Sequence, residues 1–270
     1  MKYKELVLGG EGLIGRELAR VLASRGSEVV SLDLKGGTDL RFADCRSEFE
    51  KCDRVWFLAW DTGGAKYHLS SNMQHEMYRN NCLLSARVFD SLSATKKPFL
   101  FVTSQLAGQP SAYGLTKLMA ERWAGHLGGK VARLWNTYGW EQPDVKSHVV
   151  TDLVLSGLEE GRVTTITTGE ERRRFLYKTD CVNALLRFFE GGASRADIAG
   201  DRWITVRQLA EEIGRQLEAK VRLGSIAGTE VMIDPEIPLS GWAPSISLEE
   251  GLARVIVDAR AYLGRASEGR

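Results

Sequence analysis

A tyrosine and a lysine lie four residues apart in the segment SAYGLTK, residues 111–117. Positions i and i+4 share one face of an α-helix, so Tyr113 and Lys117 would project together from a helix. A lysine cation near a phenol favours the phenolate and lowers the tyrosine pKa, which makes the tyrosine a usable base near neutral pH. This spacing also arises by chance on solvated helix faces, so the interpretation depends on the surrounding sequence.

The segment before the pair supports a chemical role. PFLFVTS, residues 98–104, has the pattern of a buried strand and ends in Thr103 and Ser104. Ligands in open parallel α/β sheets bind at the carboxyl ends of the strands. We therefore expect the hydroxyls and the Tyr/Lys pair to meet at one edge of a sheet.

A glycine-rich turn lies between the first apolar run and the first helical pattern, with Gly9, Gly12 and Gly15 in LVLGGEGLIGRELA. Glycines there permit a tight turn, close approach of the backbone to a pyrophosphate and tight helix-strand packing. Asp33 ends the second apolar run 18 residues after Gly15, where its carboxylate can accept both ribose hydroxyls of an adenosine. The carboxylate would repel a 2′-phosphate, so the sequence predicts NAD rather than NADP.

Apolar runs alternate with helical patterns through the first half of the chain, which predicts an α/β fold with a Rossmann-like, doubly wound parallel sheet. The pattern becomes irregular near residue 141, so we predict an NAD-binding domain over residues 1–140 and a smaller, mixed α/β substrate lobe over residues 141–270. The strand and helix at about 172–190 are expected to pack back on the first domain. A last amphipathic helix could begin at a Ser247 cap.

Seven ordered motifs in this sequence resemble those of the extended short-chain dehydrogenase/reductases, specifically the NAD-dependent nucleotide-sugar epimerases and dehydratases. GGEGLIG resembles the cofactor turn GxxGxxG, FADCRS the adenine-binding segment, and WFLAW the fourth-strand motif HLAA. YRNNCLLSARVFDSL is similar to NNVxGTxxLL, RLWNTYG to RxxNxYGP, RRRFLYKTDCVNAL to RDFxxVxDxxxAL, and SGWAPSISLEEGL to LGWxPxxxLxxGL.

The resemblance implies a role for each matching residue. Tyr113 would be the acid/base that moves a proton on a sugar hydroxyl while hydride passes to the nicotinamide, Lys117 would hold the nicotinamide ribose, and Ser104 would hydrogen-bond the reacting oxygen. The implied NAD-binding residues, besides Tyr113 and Lys117, are Gly9, Gly12, Leu13, Ile14, Asp33, Asp44, Cys45, Leu58, Ala59, Trp60 and Asn81. The implied contacts to a nucleotide-diphosphate sugar are Gly64, Asn136 and Arg173.

The sequence departs from the family pattern next to the active-site serine. Only QLAGQPSA separates Ser104 from Tyr113, where the family has a longer loop. The Asp-Glu pair that dehydratases need for elimination is replaced by Gln105 and Leu106. An epimerase with permanently bound NAD is therefore the leading hypothesis, and the alternatives are a dehydratase or 4-ketoreductase on the same scaffold, or a non-catalytic NAD-binding regulator.

The loop TGGAKYHLSSN, residues 62–72, resembles the Gly-Gly loop beside the sugar in the GDP-mannose epimerase and GDP-fucose synthase branch. A flexible loop with incidental glycines is the alternative. Extended family members usually pair two helices into a four-helix bundle, so the resemblance also implies a homodimer through the helices around residues 81–91 and 113–127.

The composition bears on partners and location. The chain has 36 Lys plus Arg and 35 Asp plus Glu, so no net field favours nucleic acid or a membrane surface. The start of the sequence has no signal-peptide pattern, and no apolar run reaches the roughly 20 residues of a membrane span, so a cytoplasmic protein is expected. The cysteines at positions 45, 52, 82 and 181 lack paired spacing, and we expect reduced packing residues and no metal site.

Overall fold

The structure is a computed structural model that describes residues 2–64, 67 and 71–268, with residues 71, 72 and 266–268 described by their backbone alone. The helices and strands follow in chain order, apart from a short 3-10 turn at Leu34–Gly36. They are β1 (Lys4–Leu8), α1 (Leu13–Ser24), β2 (Glu28–Leu32), α2 (Arg46–Lys51), β3 (Arg54–Phe57), α3 (Ser71–Thr95), β4 (Phe99–Ser104), α4 (Ala112–His126), β5 (Lys130–Leu134), β6 (Thr137–Tyr138), α5 (Val149–Glu160), β7 (Arg162–Thr164), β8 (Arg172–Arg173), β9 (Leu176–Tyr177), α6 (Lys178–Glu190), β10 (Arg195–Ile198), β11 (Ile204–Thr205), α7 (Val206–Leu217), β12 (Lys220–Arg222) and α8 (Leu248–Glu268).

The main sheet has six parallel strands in the order β2-β1-β3-β4-β5-β10. On one face, α1 and α6 pack on the sheet around a core that includes Leu18, Leu185 and Trp56. On the other face, α2, α3 and α4 enclose a second core that includes Phe89 and Phe101. The predicted doubly wound sheet is confirmed, and β1 to β5 in the first half of the chain form five of its six strands.

The second half of the chain builds a smaller lobe around a third core, in which α5, α7 and α8 pack together. Its strands form two-stranded sheets, β7 with β12 and β8 with β11. Ser247 caps α8, because its hydroxyl accepts a hydrogen bond from the Glu250 amide at 3.1 Å. The predicted mixed lobe and the predicted cap are therefore present.

The chain returns to the main sheet after the lobe has begun. Helix α6 packs against α1, and β10 then pairs with β5 as the sixth strand. The part of the second half that packs on the main sheet therefore extends through residue 198, beyond the segment 172–190 that the sequence indicated. Buried Asp180 on α6 ties the lobe to this core by accepting hydrogen bonds from the Ser245 and Ile246 amides and the Ser245 hydroxyl.

All four cysteines are free. Cys52 and Cys181 are buried and Cys45 is partly buried, as expected of packing residues, but Cys82 is exposed. The prediction is wrong for Cys82 because it lies on the outward face of α3, between the buried Asn81 and Leu84. Across the described ranges, no helix is long and apolar enough to cross a bilayer, and no group of three or more His, Cys, Asp and Glu side chains could hold a metal ion.

Candidate active site

The predicted catalytic hydroxyls meet where β4 ends and α4 begins. Helix α4 starts after Ser111, whose hydroxyl accepts a hydrogen bond from the Gly114 amide at 3.1 Å. This start places Tyr113 in the first turn, where hydrogen bonding by the Ser104 and Thr62 side chains acts to lower the pKa of its hydroxyl. The Ser104 oxygen also accepts a bond from the Leu106 amide at 3.2 Å, which leaves the Ser104 proton to donate to Tyr113.

Lys117 lies one helical turn further along α4 and is only 3% exposed. Its ammonium donates to the Val102 carbonyl at 2.7 Å. The ammonium also lies 4.1 Å from the centre of the Trp60 ring, 4.9 Å from that of Phe101 and 5.9 Å from that of Tyr113. Burial lowers the Lys117 pKa well below its usual value, while the aromatic faces favour the cation.

The electrostatics at Tyr113 correct one expectation. The sequence predicted that Lys117 lowers the Tyr113 pKa, but burial raises that pKa, and the opposing influences are the hydrogen bonds of Ser104 and Thr62. Desolvation disfavours the charged form of both groups, which raises the Tyr113 pKa and lowers the Lys117 pKa. The hydroxyls that can donate to the phenol oxygen are therefore the groups that favour its ionised form in this structure.

The connection between Ser104 and Tyr113 is compact. The Ala107 amide donates to the Ser104 carbonyl at 2.9 Å, and the Gly108 amide donates to the Gly114 carbonyl at 2.9 Å. Gly108 has a φ of +94°, which a side chain would strain. An added Cβ at Gly114 would lie 2.4 Å from the Gln109 carbonyl oxygen. The short connection is thus a closed, hydrogen-bonded turn.

The glycine-rich turn follows β1 and has the cradle geometry that a dinucleotide needs. Gly9 has a φ of +88°, and an added Cβ there would lie 2.5 Å from the Ala59 nitrogen. A Cβ on Gly15 would lie 2.1 Å from the Gly9 carbonyl oxygen, whereas one on Gly12 would meet that oxygen at an ordinary 3.4 Å. Gly12 is the N-cap of α1 and offers no side-chain cap, so the first helical amides, which begin at Leu13 and Ile14, are open to an anion.

Asp33 lies against this turn. Its carboxylate accepts a hydrogen bond from the Glu11 amide at 3.1 Å and one from the Lys35 amide at 2.8 Å. Two carboxylate oxygens have about four acceptor positions, so acceptor capacity remains for ribose hydroxyls. The residues present therefore fit NAD: Gly9, Gly12 and the start of α1 would hold the pyrophosphate, and Asp33 the adenosine ribose.

The other predicted cofactor residues lie after β2 and β3. The motif WFLAW begins in the last two residues of the third strand in the chain, not of a fourth one. Beyond that strand, the Leu58 and Ala59 amides donate to the Leu8 carbonyl at 2.9 and 2.8 Å. Asp44 is exposed and accepts from the Arg46 amide at 3.2 Å, and Cys45 is the N-cap residue of α2. Their predicted contacts with NAD stay predictions.

Asn81 on α3 is fully buried and holds the loop after β3. Its side-chain oxygen accepts from the Asp61 amide at 2.8 Å, and its side-chain nitrogen donates to the Asp61 carbonyl at 3.2 Å. In this structure the Asn81 side chain holds the backbone of Asp61, next to Trp60. A contact between Asn81 and NAD would be additional to these two hydrogen bonds.

Two predicted substrate residues, Asn136 and Gly64, lie in the loops after β5 and β3. Asn136 follows β5, and its side-chain oxygen accepts from the Gln105 amide nitrogen at 3.1 Å. Gln105 is buried, and within the described part of the chain its side-chain oxygen has no hydrogen-bond partner. Gly64 donates its amide to the Lys146 carbonyl at 2.9 Å, and a Cβ there would lie 2.2 Å from the Ser147 carbonyl oxygen.

Arg173 on β8 donates to the Arg172 carbonyl at 2.8 Å and to the Thr229 carbonyl at 2.6 Å. Burial lowers its pKa, against the influence of Glu171 and Glu230. The guanidinium is thus engaged by the loop at residue 229, and its contact with a substrate stays a prediction. Of the predicted sugar-side loop, residues 65, 66 and 68–70 lie outside the described residues.

Sequence reasoning assigned no role to Asp61, which lies between the predicted cofactor residue Trp60 and the predicted sugar-side loop. Asp61 is largely buried, and its carboxylate accepts from Lys146 at 2.6 Å, from the Tyr67 hydroxyl at 2.9 Å and from Asn80 at 2.9 Å. Burial would raise the Asp61 pKa, but the hydrogen bonds from Asn80 and Lys146 outweigh it and hold that pKa below its usual value. The sequence did contain a signal for this site, since the polar residues Asp61 and Thr62 lie in the loop after the buried strand β3.

Comparisons with known proteins agree with this geometry. Residues 6–198 match the family described as the NAD dependent epimerase/dehydratase family. The chain is 24% identical to UDP-glucuronic acid decarboxylase 1 of Arabidopsis thaliana, over 100% of this chain and 72% of that relative.

Solved structures share the fold. An NAD-dependent NDP-hexosamine 5,6-dehydratase involved in tunicamycin biosynthesis has a TM-score of 0.82 at 20% identity, covering 96% of this chain and 98% of the other. A UDP-glucuronic acid 4-epimerase from Bacillus cereus, in complex with UDP-glucuronic acid and NAD, has a TM-score of 0.80 at 19% identity, covering 96% and 99%. With the match over residues 6–198, the chain belongs to the NAD dependent epimerase/dehydratase family of enzymes.

Proposed function

We propose that this enzyme is a nucleotide-sugar epimerase that oxidises a sugar hydroxyl transiently and reduces the resulting ketone on its other face. The observation that carries the proposal is the position of Tyr113 in the first turn of α4, with Ser104 at the end of β4 favouring its ionised form and the Lys117 ammonium 5.9 Å from its ring centre. A proton acceptor, a hydroxyl donor and a cation placed together suit the removal of a proton from an alcohol. When bound, NAD supplies the hydride acceptor for this chemistry.

Each residue of the cluster has a separate task in the proposal. Tyr113 takes the proton of the sugar hydroxyl and later returns it, Ser104 donates a hydrogen bond to the reacting oxygen, and Lys117 orients the cofactor ribose. One ammonium hydrogen of Lys117 is directed at the Val102 carbonyl, so two remain for ribose hydroxyls. Asn136 and Arg173 would contact the diphosphate side of the sugar nucleotide, and Gly64 the sugar.

Gln105 supports epimerisation over elimination. It directly follows Ser104 and donates to Asn136, and its neutral amide cannot exchange a proton near neutral pH. Elimination of water needs an additional acid and base next to the sugar. The position that would supply them holds a buried amide, which disfavours the dehydratase alternative.

Oxidative decarboxylation of a UDP-uronic acid is a second candidate, favoured by the similarity to the plant UDP-glucuronic acid decarboxylase over the whole chain. Oxidation at C4 makes a uronic acid a β-keto acid. Loss of its carboxylate as carbon dioxide leaves an enolate that takes up a proton at C5, and the reduced cofactor then returns the hydride to C4. The proposed use of Tyr113 and Ser104 is the same in both reactions. The two candidates therefore differ only in the steps after the oxidation.

The test is to incubate the purified protein and NAD with UDP-, GDP-, CDP- and dTDP-sugars, including UDP-glucuronic acid, and to follow the products by NMR in deuterated water. Inversion at C4 without incorporated deuterium supports the proposal, and deuterium at C3 or C5 points to enolisation. A UDP-pentose and carbon dioxide would identify the decarboxylase. A stable 4-keto-6-deoxy sugar would contradict both candidates.

Asp33 is expected to make the protein prefer NAD over NADP. A 2′-phosphate would remove a ribose hydroxyl hydrogen bond and place a second anion beside the carboxylate. We expect calorimetry to show a preference of at least about 100-fold, which corresponds to about 2.7 kcal/mol. Asp33→Asn should narrow this preference, whereas the matched control Asp44→Asn should leave it unchanged; equal affinities of the wild-type protein for the two cofactors would contradict the assignment.

We also propose a homodimer through α3 and α4. Their outward faces carry exposed apolar or weakly polar side chains, among them Tyr78, Cys82 and Leu115. Light scattering at micromolar concentration should give twice the mass of 30.0 kDa. Tyr78→Glu together with Leu115→Glu should lower the measured mass to that of one chain, and a wild-type protein that is already monomeric would refute the proposal.

A further inference from the structure

The ammonium of Lys117 is a buried cation that lies among aromatic rings. The residue is 3% exposed, and its ammonium donates to the Val102 carbonyl at 2.7 Å. Within the described part of the chain, no carboxylate pairs with this ammonium. Burying a charge without a counter-ion is unfavourable unless other groups stabilise the charge. The charged form of Lys117 therefore depends on the rings around it.

Trp60 supplies the ring closest to the ammonium among those in the described residues. Nζ of Lys117 lies 4.1 Å from the centre of the Trp60 ring, compared with 4.9 Å for Phe101 and 5.9 Å for Tyr113. The electron-rich face of an aromatic ring attracts a cation within about 6 Å of its centre, and tryptophan attracts it most strongly. The rings of Trp60 and Phe101 pack edge to face with their centres 5.6 Å apart. These two rings therefore hold each other in place beside the ammonium.

The indole nitrogen of Trp60 provides independent support. Its N–H is buried and has no hydrogen-bond partner among the residues that the structure describes. This is unfavourable, because a buried tryptophan N–H usually reaches a partner. The segment FLAW, residues 57–60, has this tryptophan where the similar motif HLAA ends in alanine, which has no aromatic face. A tryptophan placed here at that cost indicates a contact made by the face of its ring.

We propose that Trp60 is a positioning residue for Lys117, and that its ring face holds the ammonium charged and in place for the cofactor ribose. The inference rests on the proposed function, in which Lys117 orients that ribose. The charged amine has three hydrogens, so two remain for ribose hydroxyls beside the one directed at the Val102 carbonyl. The neutral amine has one hydrogen fewer and loses its attraction to the ring.

The other charged groups around Lys117 are neutralised in pairs. From the segment after β3, Asp61 pairs with Lys146 at 2.6 Å. From β5, Arg133 pairs with Glu121 of α4 at 3.0 Å. The buried residues of α3, which packs on α4, carry no charge. Since replacing a tryptophan changes none of these charges, a change in Lys117 ionisation reports on the ring.

The experiment follows the ionisation of Lys117 by NMR in the purified full chain, with its lysines labelled with ¹³C and ¹⁵N. The side-chain Cε and Nζ signals are recorded against pH, and Lys117→Arg identifies the Lys117 signal by its loss. We expect Trp60→Leu, which fills space without an aromatic face, to lower the apparent pKa of that signal by about one unit, because the charged form loses its attraction to the ring. Trp60→Phe keeps a ring with a weaker attraction and should lower that pKa by less.

Trp123→Leu is the matched control. Like Trp60, Trp123 is partly buried and packs against the same core, where its ring centre lies 5.1 Å from that of Phe89. It lies six residues after Lys117 on α4, which is about 9 Å further along the helix axis. The Lys117 pKa should therefore be the same in Trp123→Leu as in the wild-type protein.

Three results would overturn the proposal: an unchanged or raised Lys117 pKa in Trp60→Leu, an equal fall in Trp123→Leu, or a fall in Trp60→Phe as large as that in Trp60→Leu. If Trp60→Leu does not fold, Trp60→Phe decides alone, and an unchanged pKa in that variant refutes the proposal. The titration needs no substrate. A protein that converts no nucleotide sugar but shows the expected shift would refute the proposed function and leave the effect of Trp60 on Lys117 standing.

Discussion

Tyr113→Phe is expected to lower turnover by about 10²- to 10⁴-fold or more while NAD remains bound. General acid-base groups commonly contribute that range, and in the proposed reaction no hydride can leave the sugar carbon until its hydroxyl loses a proton. Phenylalanine keeps the ring that lies 5.9 Å from the Lys117 ammonium and removes the hydroxyl whose ionisation Ser104 and Thr62 favour. The measurement is kcat on whichever nucleotide sugar the panel identifies, together with NAD affinity by calorimetry.

Tyr138→Phe is the matched control for this substitution. Tyr138 is also a buried tyrosine, but its hydroxyl donates to the Leu248 carbonyl at 3.3 Å, in the core of the second lobe. Removing that hydroxyl should cost about 1 kcal/mol of stability and leave kcat within a few-fold of wild type. Full activity in Tyr113→Phe would show that another group moves the proton.

Gly15→Ala is expected to destabilise the fold at the cofactor turn. The new Cβ would lie 2.1 Å from the Gly9 carbonyl oxygen and 2.7 Å from the Gly10 Cα, both backbone atoms that cannot rotate away. Overpacking of this kind costs about 3 kcal/mol, or a fall in Tm of roughly 6 to 12 °C for a chain of this size. The new methyl group would also push the start of α1 away from the glycine-rich turn, so NAD affinity should fall as well.

Gly12→Ala separates folding from cofactor binding. Its Cβ would be accommodated at 3.4 Å from the Gly9 oxygen, and its φ of −77° suits any residue. The stability cost should stay below about 1 kcal/mol, whereas NAD affinity should fall at least about tenfold because the methyl group meets the pyrophosphate. Thermal melts and calorimetry on both variants test this, and a Gly12→Ala protein with wild-type NAD affinity would show that the pyrophosphate does not approach that turn.

The sequence predicted the sheet because buried parallel strands leave unbroken apolar runs, and α1 because its glycines and apolar spacing coincide. It also predicted the meeting of Ser104 and Tyr113, since a strand end and the next helix start must share an edge of the sheet. The sixth strand was not predicted, because RADI at residues 195–198 is short and includes two charged residues. In the structure Arg195 pairs with Glu121 at 3.5 Å, and Asp197 accepts hydrogen bonds from two backbone amides. Only pairing with β5 reveals it.

The contacts of Asp61 could not be predicted for a different reason. Asp61 and Lys146 are 85 residues apart, and they meet only because the loop after β3 lies against the second lobe. Helical spacing and strand alternation describe neighbours along one element and contain no information on which side chains face each other across two loops. The Tyr113 pKa was misjudged for the same reason, because burial depends on the whole surrounding fold.

The closed turn between Ser104 and Tyr113 has a thermodynamic consequence for ligand binding. A long, mobile cover must be ordered each time a ligand binds, and each immobilised residue costs backbone entropy. Here the amides of Ala107 and Gly108 are already bonded within the folded chain, so that entropy is lost once, during folding. Ligand binding therefore orders little additional backbone on this side of the site. The heat capacity change of binding consequently reports mainly on the apolar surface that is buried elsewhere.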